Sequence, residues 1–328
     1  MLGTLTRAAR RETASPDGTG RWYSRNESIM GTAIHVELWS DDRAAATAAI
    51  DAVMQEMHRI DALMSPYKES SELSRINRDA ARQPVAVCAE LFDLLARSVT
   101  FSELSGGAFD ITYASAGHLY DYRRRIRPTE TELVTARAAI GFRHLQLDRA
   151  QRTVCFARDG VRIDLGGFAK GYAVDNGAAI LVRHGVRHAA VAAGGDSRML
   201  GDRCGRPWIV GVRDPRREGE VIALVPIEDA AVSTSGNYER FFDDGDERCH
   251  HLIDPRTGKS PHVVHSVTVV APDGLTAEAL SKTVFVLGVE QGMRIVESLP
   301  DVDAVVVDAA GSLHYSTGLF AGGGSPRT

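Results

Sequence analysis

Cysteine is scarce in this chain and follows no pattern. Its 328 residues include four, Cys88, Cys155, Cys204 and Cys249, with no CxxC spacing. That excludes a disulfide framework and a structural zinc site, and it suits reduced thiols in a cytoplasmic protein. An excess of basic charge is missing too: the formal net charge of −5 argues against nucleic acid as the main partner, though not against one anionic ligand in a local pocket. No apolar run reaches the ~20 residues that span a bilayer. The first residues carry arginines but no apolar stretch, so they lack the form of a secretory signal. No cysteine precedes Cys88 to serve as a lipid-attachment site. Internal repeats and low-complexity blocks are also absent.

What remains is ordinary globular material. Hydrophobic residues make up 44% and charged residues 25%, enough for the core of one large domain or two interlocked lobes. Residues 1–24 are expected to form a disordered tail, 25–320 the folded domain and 321–328 a loose end.

Ile34, Val36 and Leu38 alternate with polar neighbours and predict a strand. Residues 42–64 place Ile50, Val53, Met54, Met57, Ile60 and Met64 on one helical face, and Pro66 stops the helix. A second helix is expected over about 90–104. Thr129 and Glu132 fit a capping box opening a third, ending near Gly141. Beyond it the chain turns strand-rich. HLQLD and RTVCFAR read as a hairpin, and HAAVAAG, WIVGVRD, VIALV, DAAVSTS and SVTVVAP as further strands. Helices over 170–183 and 276–287 and a strand over 304–307 complete an α+β or mixed α/β pattern.

Two segments carry chemistry. In IDLGGFAKGYAVD, from Ile163 to Asp175, a short strand should end in paired glycines and a helix open with Lys170 in its first turn. Glycines admit a ligand close to backbone amides, helix N-termini attract anions, and the lysine supplies a point charge for phosphate. Alone, such a turn serves packing more often than phosphate binding. In HHLIDPRTG, His251 stands near Asp254 and offers a general base or a phosphate-facing imidazole. A lone histidine is more often structural.

Together these segments resemble the ApbE family of FAD:protein FMN transferases. Met30-Gly31-Thr32 matches the family's opening MGT. MSPYK from Met64 and SELSRIN from Ser71 match its next stretch, and GAFD from Gly107 the one after. IDLGGFAKGYAVD matches almost letter for letter. AGGD from Ala193, SGNYERFF from Ser235, HHLIDPRTG from His250 and the helix ending in FVLG follow in order. Each motif is weak, but eight in sequence over most of the chain are specific.

The resemblance implies a two-lobed fold with an antiparallel sheet and FAD in the cleft between the lobes. It implies an FAD site lined by Met30, Tyr67, Ala108, Phe109, Asp110, Asp164, Lys170 and Ile253, with His251 near the diphosphate. The implied reaction is phosphoryl transfer. A Ser or Thr hydroxyl of an acceptor protein attacks the FMN-side phosphorus and AMP leaves, with magnesium supplying positive charge.

One departure from the family pattern matters. The family's last helix holds the metal with an aspartate and, four residues later, a threonine. Glu278 and Lys282 stand at those positions here. A charged lysine has only donors and cannot ligate a cation. Glu278 and the Gly167 carbonyl are therefore doubtful metal ligands. Lys282 either makes a surface i,i+4 pair with Glu278 or takes the metal's place as a catalytic cation beside Lys170 and His251. Asp273 is the nearest other carboxylate if the register is off. An FAD-binding protein or FAD pyrophosphatase without transferase activity is the alternative reading. A penicillin-binding type of serine hydrolase, suggested by SPYK from Ser65, SGN from Ser235 and RTG from Arg256, is a remote one.

Overall fold

The protein is described by a computed structural model over residues 20–321, apart from 218 and 246. Eight strands form one antiparallel sheet whose spatial order follows the chain. They are β1 (Arg21–Ile29), β2 (Thr32–Ser40), β3 (Ala189–Ala193), β4 (Asp196–Leu200), β5 (Ala231–Gly236), β6 (Val264–Ala271), β7 (Asp303–Asp308) and β8 (Leu313–Tyr315). The expected N-terminal tail lies outside the described residues as far as 19, but β1 reaches back to Arg21, so residues 21–24 belong to the sheet. No apolar alternation announced this strand. Its inward positions carry charge instead: Arg25 pairs with Asp51 and Glu27 with His58, both at 2.5 Å. At the other end a short helix, Gly318–Ala321, occupies the start of the expected loose end, and residues 322–328 lie outside the described part.

Three helices cover one face of the sheet: α1 (Arg43–Met64), α2 (Ala169–Arg183) and α3 (Gly274–Glu297). A two-stranded hairpin, Trp208–Arg213 with Val221–Ile227, covers part of the other, packing Trp208, Val212 and Ile227 on Val232 and Val305. Residues 65–168 form a flank of helices and a small sheet in the order Val85–Ala86, Thr153–Phe156, Leu145–Asp148. Leu91, Phe109 and Phe168 of this flank share one hydrophobic cluster with Val36, Met57 and Leu181, so the two lobes are joined by a continuous core. The capping box forms as expected, with Thr129 accepting from the Glu132 N–H and Glu132 from the Thr129 N–H, but its helix ends at Arg137. The last helix runs past 287 to Glu297 through a kink at Gly288, where φ is +78°.

The paired-glycine segment differs from the strand–turn–helix expected. Residues 161–165 join no ladder. The Asn77 amide instead substitutes for a strand neighbour, donating to the Ile163 carbonyl at 2.9 Å and accepting from its N–H at 2.8 Å. Just beyond, α2 and α3 cross backbone to backbone: a Cβ on Gly171 would stand 2.2 Å from the Gly274 carbonyl oxygen. The Asp175 carboxylate then caps α3 by accepting from the Gly274 and Leu275 N–H groups at 2.7 and 3.1 Å. This crossing brings Lys170 on α2 to Glu278 on α3.

Candidate active site

Lys170 is the centre of a buried ionic cluster. Its Nζ contacts Glu278 Oε1, lies 2.7 Å from Asp196 Oδ2 and donates to the Gly166 carbonyl at 3.2 Å. All three of its N–H donors therefore have acceptors. Burial alone would depress its pKa, and the Asp196 and Glu278 carboxylates more than offset that, holding the ammonium above its usual range. Asp196 resists burial in the same way, kept ionised below its usual range by Lys170 and Lys282. Glu278 is fully buried, so the surface-pair reading of Glu278 and Lys282 is wrong. Its Oε2 accepts from the Gly171 N–H at 2.7 Å. The anion position at the start of α2, expected for a ligand phosphate, is thus filled by the protein's own carboxylate.

A hydroxyl chain backs the cluster. Ser233 donates to Asp196 Oδ1 at 2.5 Å, and the Ser281 hydroxyl lies 2.9 Å from both Ser233 and Ser235. Lys282 stands at the front. Its Nζ is 3.5 Å from Glu278 Oε1 and 3.4 Å from the Ser281 hydroxyl, and its stem lies against Gly167.

Across the cleft, a hairpin of Phe241–Asp244 and Glu247–His250 joins Arg240 to His251 at its base, the His251 N–H donating to the Arg240 carbonyl at 3.0 Å. The Arg240 guanidinium reaches the Gly31 carbonyl at 2.9 Å. Met30 and Gly31 form the two-residue β1–β2 turn with φ of +56° and +69°, a conformation unusual for methionine. Beside it lies a cavity of about 510 Å³ lined by Met30, Thr32, His58, Asp61 and Lys68 among others.

His251 Nδ1 is buried with no hydrogen-bond partner among the described residues. Burial, with Lys282 and then His250 and Arg240 adding positive charge, lowers its pKa to about 3, so the ring is neutral at neutral pH. Asp254 is not its partner. That carboxylate accepts instead from the Arg256 N–H and guanidinium, at 2.9–3.2 Å.

The residues expected in the FAD site divide into two groups. Tyr67 and Asp164 are both within electrostatic reach of Tyr113, and Asp164 of Lys170, while Met30 sits in the β1–β2 turn. Tyr67 is 90% exposed, and burial raises the pKa of Asp164, which accepts from the Gly166 N–H at 2.5 Å. Ala108, Phe109, Asp110 and Ile253 are buried. Phe109 packs its ring 5.4 Å from Phe168, and Asp110 accepts from the Thr112 N–H and hydroxyl and from the Phe142 N–H, at 2.6–2.8 Å. Asp273 is occupied as the N-cap of α3. Lys68 pairs with Asp61 at 2.5 Å and Ser65 follows the end of α1, an arrangement that gives no nucleophile–lysine pair for a serine hydrolase.

Asp196, Ser233 and Arg240 lie in the blocks that resemble the family's but had no role there, and Ser235 had one only in the remote serine-hydrolase reading. Serines two apart in a strand otherwise buried on both faces were the available signal. Tyr113 was missed altogether. It is within electrostatic reach of Asp164, Tyr67 and Glu278, and burial pushes its hydroxyl well above the usual range.

The family implies a divalent cation here, and the donor set does not fit one. Both oxygens of Asp196 and both of Glu278 already accept from a hydroxyl, an ammonium or a backbone N–H. Two lysines balance two carboxylates, so the cluster is neutral without a metal. Among the described residues, no group of three or more His, Cys, Asp or Glu side chains is placed to hold a metal ion.

The sequence pattern of the ApbE family matches residues 30–306, nearly all of the described chain. The chain belongs to the ApbE family. It is 35% identical to a FAD:protein FMN transferase of Treponema pallidum, over 91% of this chain and 88% of that protein. To a FAD:protein FMN transferase of Haemophilus influenzae it is 31% identical, over 84% and 83%. The crystal structure of the ApbE protein from Thermotoga maritima superposes with a TM-score of 0.84 at 32% identity, covering 90% of this chain and 97% of that one. The flavin transferase ApbE from Vibrio cholerae gives 0.82 at 26% identity, covering 92% and 98%. The α+β fold expected from the sequence is that of these ApbE proteins. None of the helices among the described residues is long and apolar enough to cross a membrane.

Proposed function

We propose that this ApbE-family chain is a FAD:protein FMN transferase that moves the FMN half of FAD onto a Ser or Thr hydroxyl of an acceptor protein. The hydroxyl oxygen bonds to the FMN-side phosphorus, the bond from that phosphorus to the bridging oxygen breaks, and AMP leaves with that oxygen. The hydroxyl proton is released. Family membership and the names of the relatives support this reading. The observation that carries it is the convergence of Lys282, Arg240 and a neutral His251 with an unpartnered nitrogen on one cleft.

In-line phosphoryl transfer needs positive charge at the diphosphate oxygens and a group that takes the nucleophile's proton. Lys282 and Arg240 supply the first and the neutral His251 imidazole the second. Tyr67 offers a ring that stacks on flavin or adenine. Lys170, with its donors committed to Glu278, Asp196 and Gly166, holds the site together.

Intact-mass measurement of an acceptor domain bearing a Ser/Thr flavinylation motif, incubated with this protein and FAD, tests the proposal. The expected result is a mass gain of one phosphodiester-linked FMN and an equal amount of AMP. Free FMN without acceptor labelling would identify an FAD pyrophosphatase, and FAD recovered intact a binding protein.

A further inference from the structure

The two lysines of the ionic cluster are in different situations. Lys170 has acceptors for all three N–H groups, two of them carboxylates. Lys282 has only a 3.4 Å contact to the Ser281 hydroxyl and a 3.5 Å approach to Glu278. Its side chain is 17% exposed, with its charge felt at both His251 and Asp196. An ammonium so placed keeps N–H donors for a ligand, while every oxygen of its neighbours Glu278 and Asp196 already accepts from a donor of the protein itself. The lysine stem lies alongside Gly167, where a Cβ would stand in ordinary van der Waals contact with Lys282 Cγ and Cε at 3.6 Å.

We infer that Lys282 is this chain's built-in cation for the FAD diphosphate, so that FMN transfer here proceeds without a divalent metal. The inference rests on the transferase reading above. In the step, Lys282 donates hydrogen bonds to a non-bridging oxygen of the phosphorus under attack and keeps its proton throughout. The bonds made and broken are those already given, and the acceptor's proton passes through His251 to solvent. A lysine in this role differs from a metal in two ways: it cannot be removed by a chelator, and it offers a fixed number of directed donors in place of exchangeable coordination sites.

The test compares wild type, K282T and K282M in FMN transfer, once with EDTA and once with magnesium, and follows Mn2+ binding by electron paramagnetic resonance with and without FAD. Wild type should transfer at the same rate with EDTA and with magnesium. K282M should lose about a hundredfold or more in both conditions, the loss typical of removing a charge-stabilising donor. K282T should lose as much with EDTA and recover with magnesium. Wild type should bind no stoichiometric Mn2+. Transfer by wild type that stops in EDTA and returns with magnesium overturns the inference, as does a stoichiometric Mn2+ site in wild type. Absence of transfer under every condition, with intact FAD, defeats the transferase reading, and the Mn2+ titration still decides between lysine and metal. Thermal melts of both variants, with K282R as the charge-retaining control, separate loss of fold from loss of the cation.

Discussion

On the helix side of the cleft, buried charges are matched: Lys170 against Asp196 and Glu278, with hydroxyls and a backbone N–H taking the remaining carboxylate oxygens. On the turn side, His251 Nδ1 is buried and unpartnered, Tyr67 is 90% exposed, and Met30 sits at positive φ. Unmatched groups cost stability in the free protein and are kept where a ligand completes them. The helix side is therefore scaffold and the turn side binding surface, with Lys282 at the boundary between them.

The largest expected effect comes from breaking the matched side. Glu278→Gln leaves two ammoniums facing the single carboxylate of Asp196 and should cost about 3–5 kcal/mol, the usual penalty for removing one partner of a buried ion pair. Chemical denaturation should show this with or without FAD. A change confined to FAD affinity would mean that Glu278 belongs to the binding surface.

An intermediate effect is expected at His251. Replacing it with Asn should slow FMN transfer by roughly a hundredfold or more if the imidazole takes the acceptor's proton. The free protein's ring titrates at about 3, well below the ordinary 6.5, so kcat/KM should be flat between pH 6.5 and 8, where an exposed histidine would begin to titrate. An acid limb centred near 6.5 would contradict this assignment. For stability the sign follows from the depressed value. The neutral ring's contribution is complete above pH 6.5 and is lost as pH falls toward 3. His251→Asn should flatten that part of the stability profile, leaving the slope from His250, lowered to about 4 by burial.

The smallest effect should be at Tyr67. Tyr67→Ala removes a ring that packs little of the fold, so stability should change by less than about 0.5 kcal/mol. FAD affinity should still drop about tenfold if the ring stacks on the ligand. Fluorescence titration and a melt on the same sample check both halves, and a fall in stability alone would move Tyr67 to the scaffold.

The helices and most central strands were legible because their apolar residues repeat at the helical or strand period, as in Ile50 to Met64 and Ile34 to Leu38, or form short unbroken apolar runs, as in HAAVAAG. β1 was not, because its inward positions hold Arg25 and Glu27, paired with α1 across the sheet edge. β8 has too few residues for a period, and β4 opens with the polar run Asp196-Ser197-Arg198 and so shows neither alternation nor an apolar run. In the site, Lys170 and His251 were visible in motifs that resemble the family's. Ala108, Phe109, Asp110 and Ile253 came from that resemblance as ligand contacts, and the structure buries all four side chains. Asp196 and Ser281 acquire their roles from the crossing of α2 and α3, which no local pattern encodes. The Glu278–Lys282 spacing fits a solvent-exposed ion pair equally well, and only tertiary burial tells the two apart.

That crossing also bears on the order of assembly. Lys170 and Glu278 are separated by 108 residues, and Gly171 meets Gly274 with no side chain between them. During synthesis Lys170 and Asp196 emerge long before Glu278 and Lys282, so the full four-charge cluster can close only after α3 has left the ribosome and docked. Closing so long a loop is slow and comes late in folding. The site is thus a checkpoint: a chain truncated before residue 278 keeps the Lys170–Asp196 pair but lacks the second carboxylate and second lysine that complete the cluster.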